Sequence, residues 1–358
     1  MGHDWGADID PDEPRIIGPP TLVPSMQGIC IVSVATSGEH CLALSTEGEI
    51  YSWGDGVNGS LGHADADGRW GAVPCRIQSL SRIESIAAGP GLTSAAVDEV
   101  GRLFTWGRAK YDFDARMPNG LGYALDSQTF FQLTPKRVES LSQDCVVGVA
   151  LGLGFTLAVT DAGAIFSFGS SHKGALGHGS PEVEVLPRRI EALTQTGRRF
   201  VAVAAGEAHA LALTEEGELY GWGDGAANGH GRDVFTPSRI TALVDQRVKL
   251  IGARDCTSCA VTEKGELFTW SDDGSYYNLG HGVDTPQSTP RRVEALSGAR
   301  VAAVAIGRLH TLVVDEDGVV WAFGQRSALG LDDPNPETEN VLLAKTPTPI
   351  PTLRVKSP

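Results

Sequence analysis

Six cysteines, nine histidines and seven tryptophans are the residues of this 358-residue chain with chemistry to offer. Cys256-Thr-Ser-Cys259 has the spacing of a thiol redox centre or of half a zinc site. It lies in a strand-like apolar run, where side chains three apart point to opposite faces of a sheet. No second cysteine pair supplies further ligands, so buried thiols without zinc are expected. His40, His209 and His310 share one position of a recurring unit, and His63, His178 and His281 share another. Copies that recur once per unit sit on different units, whereas acid–base chemistry needs groups within mutual reach. Each histidine is therefore expected to bond a neighbouring turn. No Ser-His-Asp set, phosphate-cradling loop or metal cluster is legible, which argues against an ordinary enzyme and implies no cofactor.

The remaining candidates bind rather than react. Gly54 to Leu61 and Gly169 to Leu176 are each 7 positions apart, but Gly107 to Leu121 is 14. The extra stretch brings Tyr111 and Phe113 beside Arg108, Lys110 and Arg116, residue types enriched in protein-binding hot spots. If the loops that follow each aromatic-Gly pair share one face, Asp55, Asn58, Asp224, Asn228, Asp272, Asp273, Tyr276 and Tyr277 form an acidic rim there. Such a rim suits a basic partner, acting chiefly on encounter rate. Arg76, Arg137, Arg189, Arg239 and Arg292 recur as well, and surface pairing with Glu139, Glu191 and Glu294 is expected to absorb them.

The elements that must position these residues repeat along the chain. Turn glycines Gly48, Gly101, Gly163, Gly217, Gly265 and Gly318 are spaced by 53, 62, 54, 48 and 53 residues. Around each, an alternating apolar run, a polar turn and a second run read as a hairpin. Alanine-rich runs such as VAVAA precede the hairpins and suit strands that converge on an axis. An outer element, aromatic-Gly followed by Pro-x-x-(Val/Ile)-x-x-Leu, occurs seven times, from Trp5-Gly6 with Pro20 to Phe323-Gly324 with Pro347. Seven outer elements against six hairpins favour an all-β propeller of four-stranded antiparallel blades with a seven-blade design, one blade incomplete or assembled from the termini. Six blades is the alternative.

The formal net charge of -15 opposes nucleic acid and anionic membranes as direct partners. No stretch reaches the length of a membrane span, and the N-terminus lacks a signal-peptide pattern, so a cytoplasmic or nuclear protein is expected. The scattered cysteines read as reduced. Residues 1–19 read as an acidic segment with a partial repeat, 20–353 as one propeller domain and 354–358 as a tail.

The stretches SGEHCLALSTEGEIYSWG, GEAHALALTEEGELYGWG and GRLHTLVVDEDGVVWAFG, with ALGHGS and NLGHGV behind two aromatic-Gly sites, resemble the regulator of chromosome condensation repeat over nearly the whole chain. That resemblance implies a seven-bladed propeller working through protein contacts, since members include an exchange factor for a small GTPase, propellers of ubiquitin ligases and a plant photoreceptor. The photoreceptor's G-W-R-H-T segments are absent, so Trp53, Trp106, Trp222 and Trp270 are expected to pack cores. A protein partner follows, with a small GTPase or a basic surface as the named options. Exchange activity and substrate recruitment in a ubiquitin pathway are the alternatives to a regulator or scaffold.

Overall fold

The computed structural model describes residues 22–64, 71–108, 120–125, 129–272, 278–283, 285–325 and 343–355. They form six four-stranded antiparallel sheets, each a meander in chain order. Blade 1 is built from Ile31–Thr36, His40–Ser45, Ile50–Gly54 and Gly71–Arg76. Blade 2 uses Ile83–Gly89, Thr93–Asp98, Leu103–Arg108 and Phe131–Arg137, and blade 3 uses Val146–Leu151, Phe155–Thr160, Ile165–Gly169 and Glu184–Arg189. Blade 4 comprises Phe200–Ala205, His209–Thr214, Leu219–Gly223 and Val234–Arg239. Blade 5 comprises Val248–Arg254, Thr257–Thr262, Leu267–Ser271 and Gln287–Arg292. Blade 6 ends the series with Val301–Ile306, His310–Asp315, Val319–Gln325 and Leu343–Arg354.

The seven-blade expectation is corrected to six blades among the described residues. The reason lies in what the outer element supplies: Pro74, Pro135, Pro187, Pro237, Pro290 and Pro347 all fall in fourth strands. A seventh copy of that element brings no hairpin with it, and one outer strand does not make a sheet. The expected hairpins are present, and all six turn glycines take positive φ, between 73° and 84°. At Gly48 a Cβ would come 2.7 Å from the Arg82 Cα, so the close approach of the next blade's entry adds to the conformational demand.

Five of the six apolar clusters among the described residues lie between consecutive blades, and the sixth lies within blade 6. Leu42, Leu44 and Ile50 of blade 1 pack on Ala96 and Trp106 of blade 2. Leu157, Val159 and Ile165 of blade 3 pack in the same way on Ala212 and Trp222 of blade 4. In blades 2 to 5 the period-2 alternation of each strand thus serves two interfaces, one on each face of its sheet. Trp106, Trp222 and Trp270 are completely buried, as their repeat position demands. Their indole N–H groups donate to the carbonyls of Ser60, Ala175 and Ala227 on the preceding blade, at 2.9, 2.8 and 2.7 Å. A buried indole without an acceptor would cost free energy, so each bond fixes how two blades meet.

The arginine series pairs, though mostly with other partners than the sequence suggests. Arg76, Arg239 and Arg292 meet Glu49, Glu218 and Glu266 at 2.9, 3.1 and 3.1 Å. Arg189 bonds the Thr194 hydroxyl, and only Arg137 keeps its expected partner, Glu139, at 3.6 Å. Register explains this: the outer-strand arginine lies opposite the third strand, as in the pairs Tyr51 with Arg76 and Tyr220 with Arg239, close to the glutamate that opens it.

Candidate interaction face

Five of the six recurring histidines bond a serine or threonine hydroxyl, in two ways. His63, His178 and His281 stay within their blades, with Nε2 at 2.8, 2.9 and 3.1 Å from the hydroxyls of Ser52, Ser167 and Thr269. His40 and His209 instead reach the next blade, at 2.8 Å from Ser94 Oγ and 2.7 Å from Ser258 Oγ. Each of those serines also donates its one proton to a carbonyl, Ser94 to Ser60 and Ser258 to Ala227. The Nε2 of His40 and of His209 must therefore carry the proton and donate. Burial pushes both imidazoles down to about 4, the Arg254 charge adding to the effect at His40.

The two cysteines of the C-x-x-C pair do not share a strand. Cys259 lies in the second strand of blade 5, fully buried, while Cys256 sits in the turn before that strand rather than on it. Burial holds the Cys259 thiol up at about 12; burial and then the carboxylates of Glu207, Asp272, Asp224 and Asp255 hold Cys256 at about 11.

Those carboxylates mark the face. In each blade the turn between the first two strands and the loop after the third lie at one end of the sheet. The Asp55 N–H donates to the Glu39 carbonyl, Arg108 N–H to Leu92 and Asp224 N–H to Ala208, at 2.8, 3.0 and 2.9 Å. Asp55, Arg108, Asp224 and Asp272 of the sequence-derived set therefore share that end. Asp55 is mostly buried, its Oδ1 accepting the Val57 N–H at 2.7 Å. Burial alone would raise the Asp224 carboxyl, but bonds from Lys173, at 2.9 Å, and from the Ala226 N–H hold it below its ordinary value. Lys110, Tyr111, Phe113, Arg116, Asp273, Tyr276 and Tyr277 lie outside the described residues.

Two groupings result. On blades 4 and 5, Asp224 and Asp272 join Glu207 and Asp255 around Cys256, and the Glu207 N–H donates 2.8 Å to the Asp255 carbonyl. On blades 1 and 2, burial and then Asp55 raise the Glu39 carboxyl, with the charges of Arg108 and Arg254 opposing. Arg254 spans from blade 5 to blade 1, donating to the carbonyls of Thr36 and Ser37. Sequence reading placed the acidity only after the aromatic-Gly pairs and missed Glu39, Glu207 and Asp255. Their signal was the acidic residue in SGEH, GEAH and ARDC, in the turn ahead of each second strand.

The repeat is identified by comparison as well as by geometry. Two models of the regulator of chromosome condensation (RCC1) repeat match, one at 47–96, 162–213 and 264–314, the other at 31–60 and 200–232. The chain belongs to the regulator of chromosome condensation repeat family. It is 39% identical over 327 residues to the human E3 ubiquitin-protein ligase HERC2, covering 88% of this chain but 5% of that protein. It is 35% identical over 287 residues to the Ultraviolet-B receptor UVR8 of Arabidopsis thaliana, covering 78% of this chain and 61% of the receptor. Human WBSCR16 shares the fold with a TM-score of 0.75 at 18% identity, over 90% of this chain and 82% of that one. Prp20p of Saccharomyces cerevisiae, described with its binding to Gsp1p and histones, follows at 0.72 and 23%, over 89% of this chain and 76% of its own. Among the described residues of this RCC1-repeat chain, no helix is long and apolar enough to cross a membrane.

Proposed function

We propose that this RCC1-repeat propeller binds another protein through its loop end and acts as a regulator or scaffold. The observation that carries the reading is the gathering of Glu207, Asp224, Asp255 and Asp272 on two adjacent blades at one end of the sheets. That grouping suits a partner with a basic surface, whose association it accelerates. The insertion flanked by Arg108 belongs to the same reading, as an aromatic and basic complement to the acidic blades. Guanine-nucleotide exchange on a small GTPase is a second reading, favoured by a fold shared with Prp20p, whose described properties include binding Gsp1p. Recruitment in a ubiquitin pathway is a third, favoured by the match to a segment of HERC2.

Charge reversal tests the leading reading. Changing Asp224, Asp272 and Glu207 to Lys is expected to lower the association rate of a captured partner and to flatten its salt dependence. An unchanged rate at low salt sets the loop end aside. Nucleotide release from a captured GTPase, accelerated by this chain or not, separates exchange from scaffolding.

A further inference from the structure

At the end of the sheets away from the loops, all six blades repeat one contact. The N–H of the residue after the second strand donates to the carbonyl of the residue before the first, at 2.8 or 2.9 Å. The donors are Thr46, Glu99, Asp161, Glu215, Glu263 and Glu316. In blades 2, 4, 5 and 6 the same two residues also form an ion pair, as Arg82 does with Glu99 at 2.6 Å and Arg300 with Glu316 at 2.8 Å. Five blades thus carry a carboxylate at this position, and blade 1 carries the exposed Thr46 hydroxyl.

Blades 1 and 3 depart from the rule in the same way, with Cys30 and Cys145 standing where the other blades have arginine. In blade 3 the arginine of the next blade turns back toward the vacant place. Arg199 Nη2 donates to the Asp161 carbonyl at 2.6 Å. Arg82 stands in that relation to Thr46: a Cβ on Gly48 would come 2.7 Å from its Cα, and its side chain is 74% exposed.

We propose that Thr46 is a phosphorylation site whose phosphate is held by Arg82, clamping blade 1 to blade 2. The Thr46 hydroxyl takes the γ-phosphoryl group of ATP. Its Oγ1–P bond forms while the bond from that phosphorus to the β-phosphate's bridging oxygen breaks, ADP leaves, and the hydroxyl proton passes to a carboxylate base of the kinase. Thr46-Glu47-Gly48-Glu49 places carboxylates one and three residues beyond the hydroxyl, which suits a kinase with a basic substrate groove. Glu49 meets Arg76 at 2.9 Å in a partly exposed pair that such a groove displaces readily. Thr36 and Ser81 also have glutamate three residues on, but Thr36 is held within a strand and Ser81 is followed by Arg82, which the groove repels.

A phosphate brings about two negative charges and three acceptor oxygens. The Arg82 guanidinium has five N–H donors and uses one on Glu99, so others serve the phosphate. Glu47, next in the chain, opposes the new charge. The Ile83 N–H donates to the Gly48 carbonyl at 3.0 Å, and the clamp therefore closes over a backbone bond between the same two blades. This site lies at the other end of the sheets from the loop-end face and stands independently of it.

The test is incubation of the full chain with ATP and an acid-directed kinase of the casein kinase class, read by intact mass and by tandem mass spectrometry of the peptide that holds residues 46–49. Phosphate on Thr46 is expected. It should be lost in Thr46→Val and should form about fivefold or more slowly in Glu49→Gln. Hydrogen exchange at the Ile83 amide should slow about threefold or more on phosphorylation of the parent chain, and stay the same on phosphorylation of Arg82→Gln. Absence of phosphate on Thr46, equal rates for the parent and Glu49→Gln, or equal slowing of exchange in Arg82→Gln overturns the proposal.

Discussion

His209 is buried with its imidazole held at about 4 against an unfolded value of 6.5. A folded value below the unfolded one means that stability is complete above pH 6.5 and falls as pH drops toward 4. At pH 5 the unfolded imidazole is almost fully protonated and the folded one only about a tenth so. The difference corresponds to about 1.5 pH units, or roughly 2 kcal/mol lost between pH 8 and pH 5 for this one residue. His40, equally buried and also at about 4, adds a loss of the same order and sign. His209→Gln retains an N–H donor for Ser258 Oγ but does not titrate. Urea unfolding at pH 8 and pH 5 should show the variant losing roughly 2 kcal/mol less than the parent over that interval. Equal losses, or a folded-state His209 that titrates near 6.5 by NMR, would refute the reasoning.

Other perturbations read other parts of the molecule. Trp222→Phe leaves the Ala175 carbonyl without its indole donor, and a loss of about 1–3 kcal/mol in denaturant unfolding is expected. Gly223→Ala places a Cβ 2.4 Å from the Ala208 carbonyl at φ +89°, and should cost about 2 kcal/mol or more in the same assay, against little for Gly298→Ala, whose Cβ meets nothing within 4 Å. The exposed Cys30 and Cys75 should react with a thiol reagent at pH 8 within minutes, while Cys259 reacts only on unfolding. Lys173→Met removes one partner of a partly exposed pair that links blades 3 and 4, so a loss under about 1 kcal/mol, smaller still at high salt, is expected from thermal melts.

What the sequence revealed was whatever a single unit contains. Gly48 and its five equivalents mark hairpins because the turn needs positive φ, and that need is local. Pro74 and its equivalents mark outer strands for a similar reason, since a proline is tolerated at a sheet edge. Relations between units were hidden. The His40–Ser94 bond joins residues 54 apart, and comparison of units position by position stacks the histidine on a residue other than its serine. Arg292 pairs with Glu266 rather than Glu294 because sheet register, not sequence distance, sets the neighbours. Six blades, the alternative reading, is what the described residues show, because the outer element had been counted as evidence for a whole sheet. At the loop end, Asp55 was legible as an acid but not as a turn former, a role fixed by its bond to the Val57 N–H.

Arg254 is the single described side chain shown bonding blade 5 to blade 1, where it donates to the carbonyls of Thr36 and Ser37. Sheets stacked through nearest-neighbour interfaces open locally, one interface at a time. Hydrogen exchange should accordingly run as a gradient, fastest in blades 1 and 6 and slowest in blades 3 and 4. Pulling on the termini should peel sheets away in sequence, with the Arg254 bonds yielding before blades 1 and 5 separate.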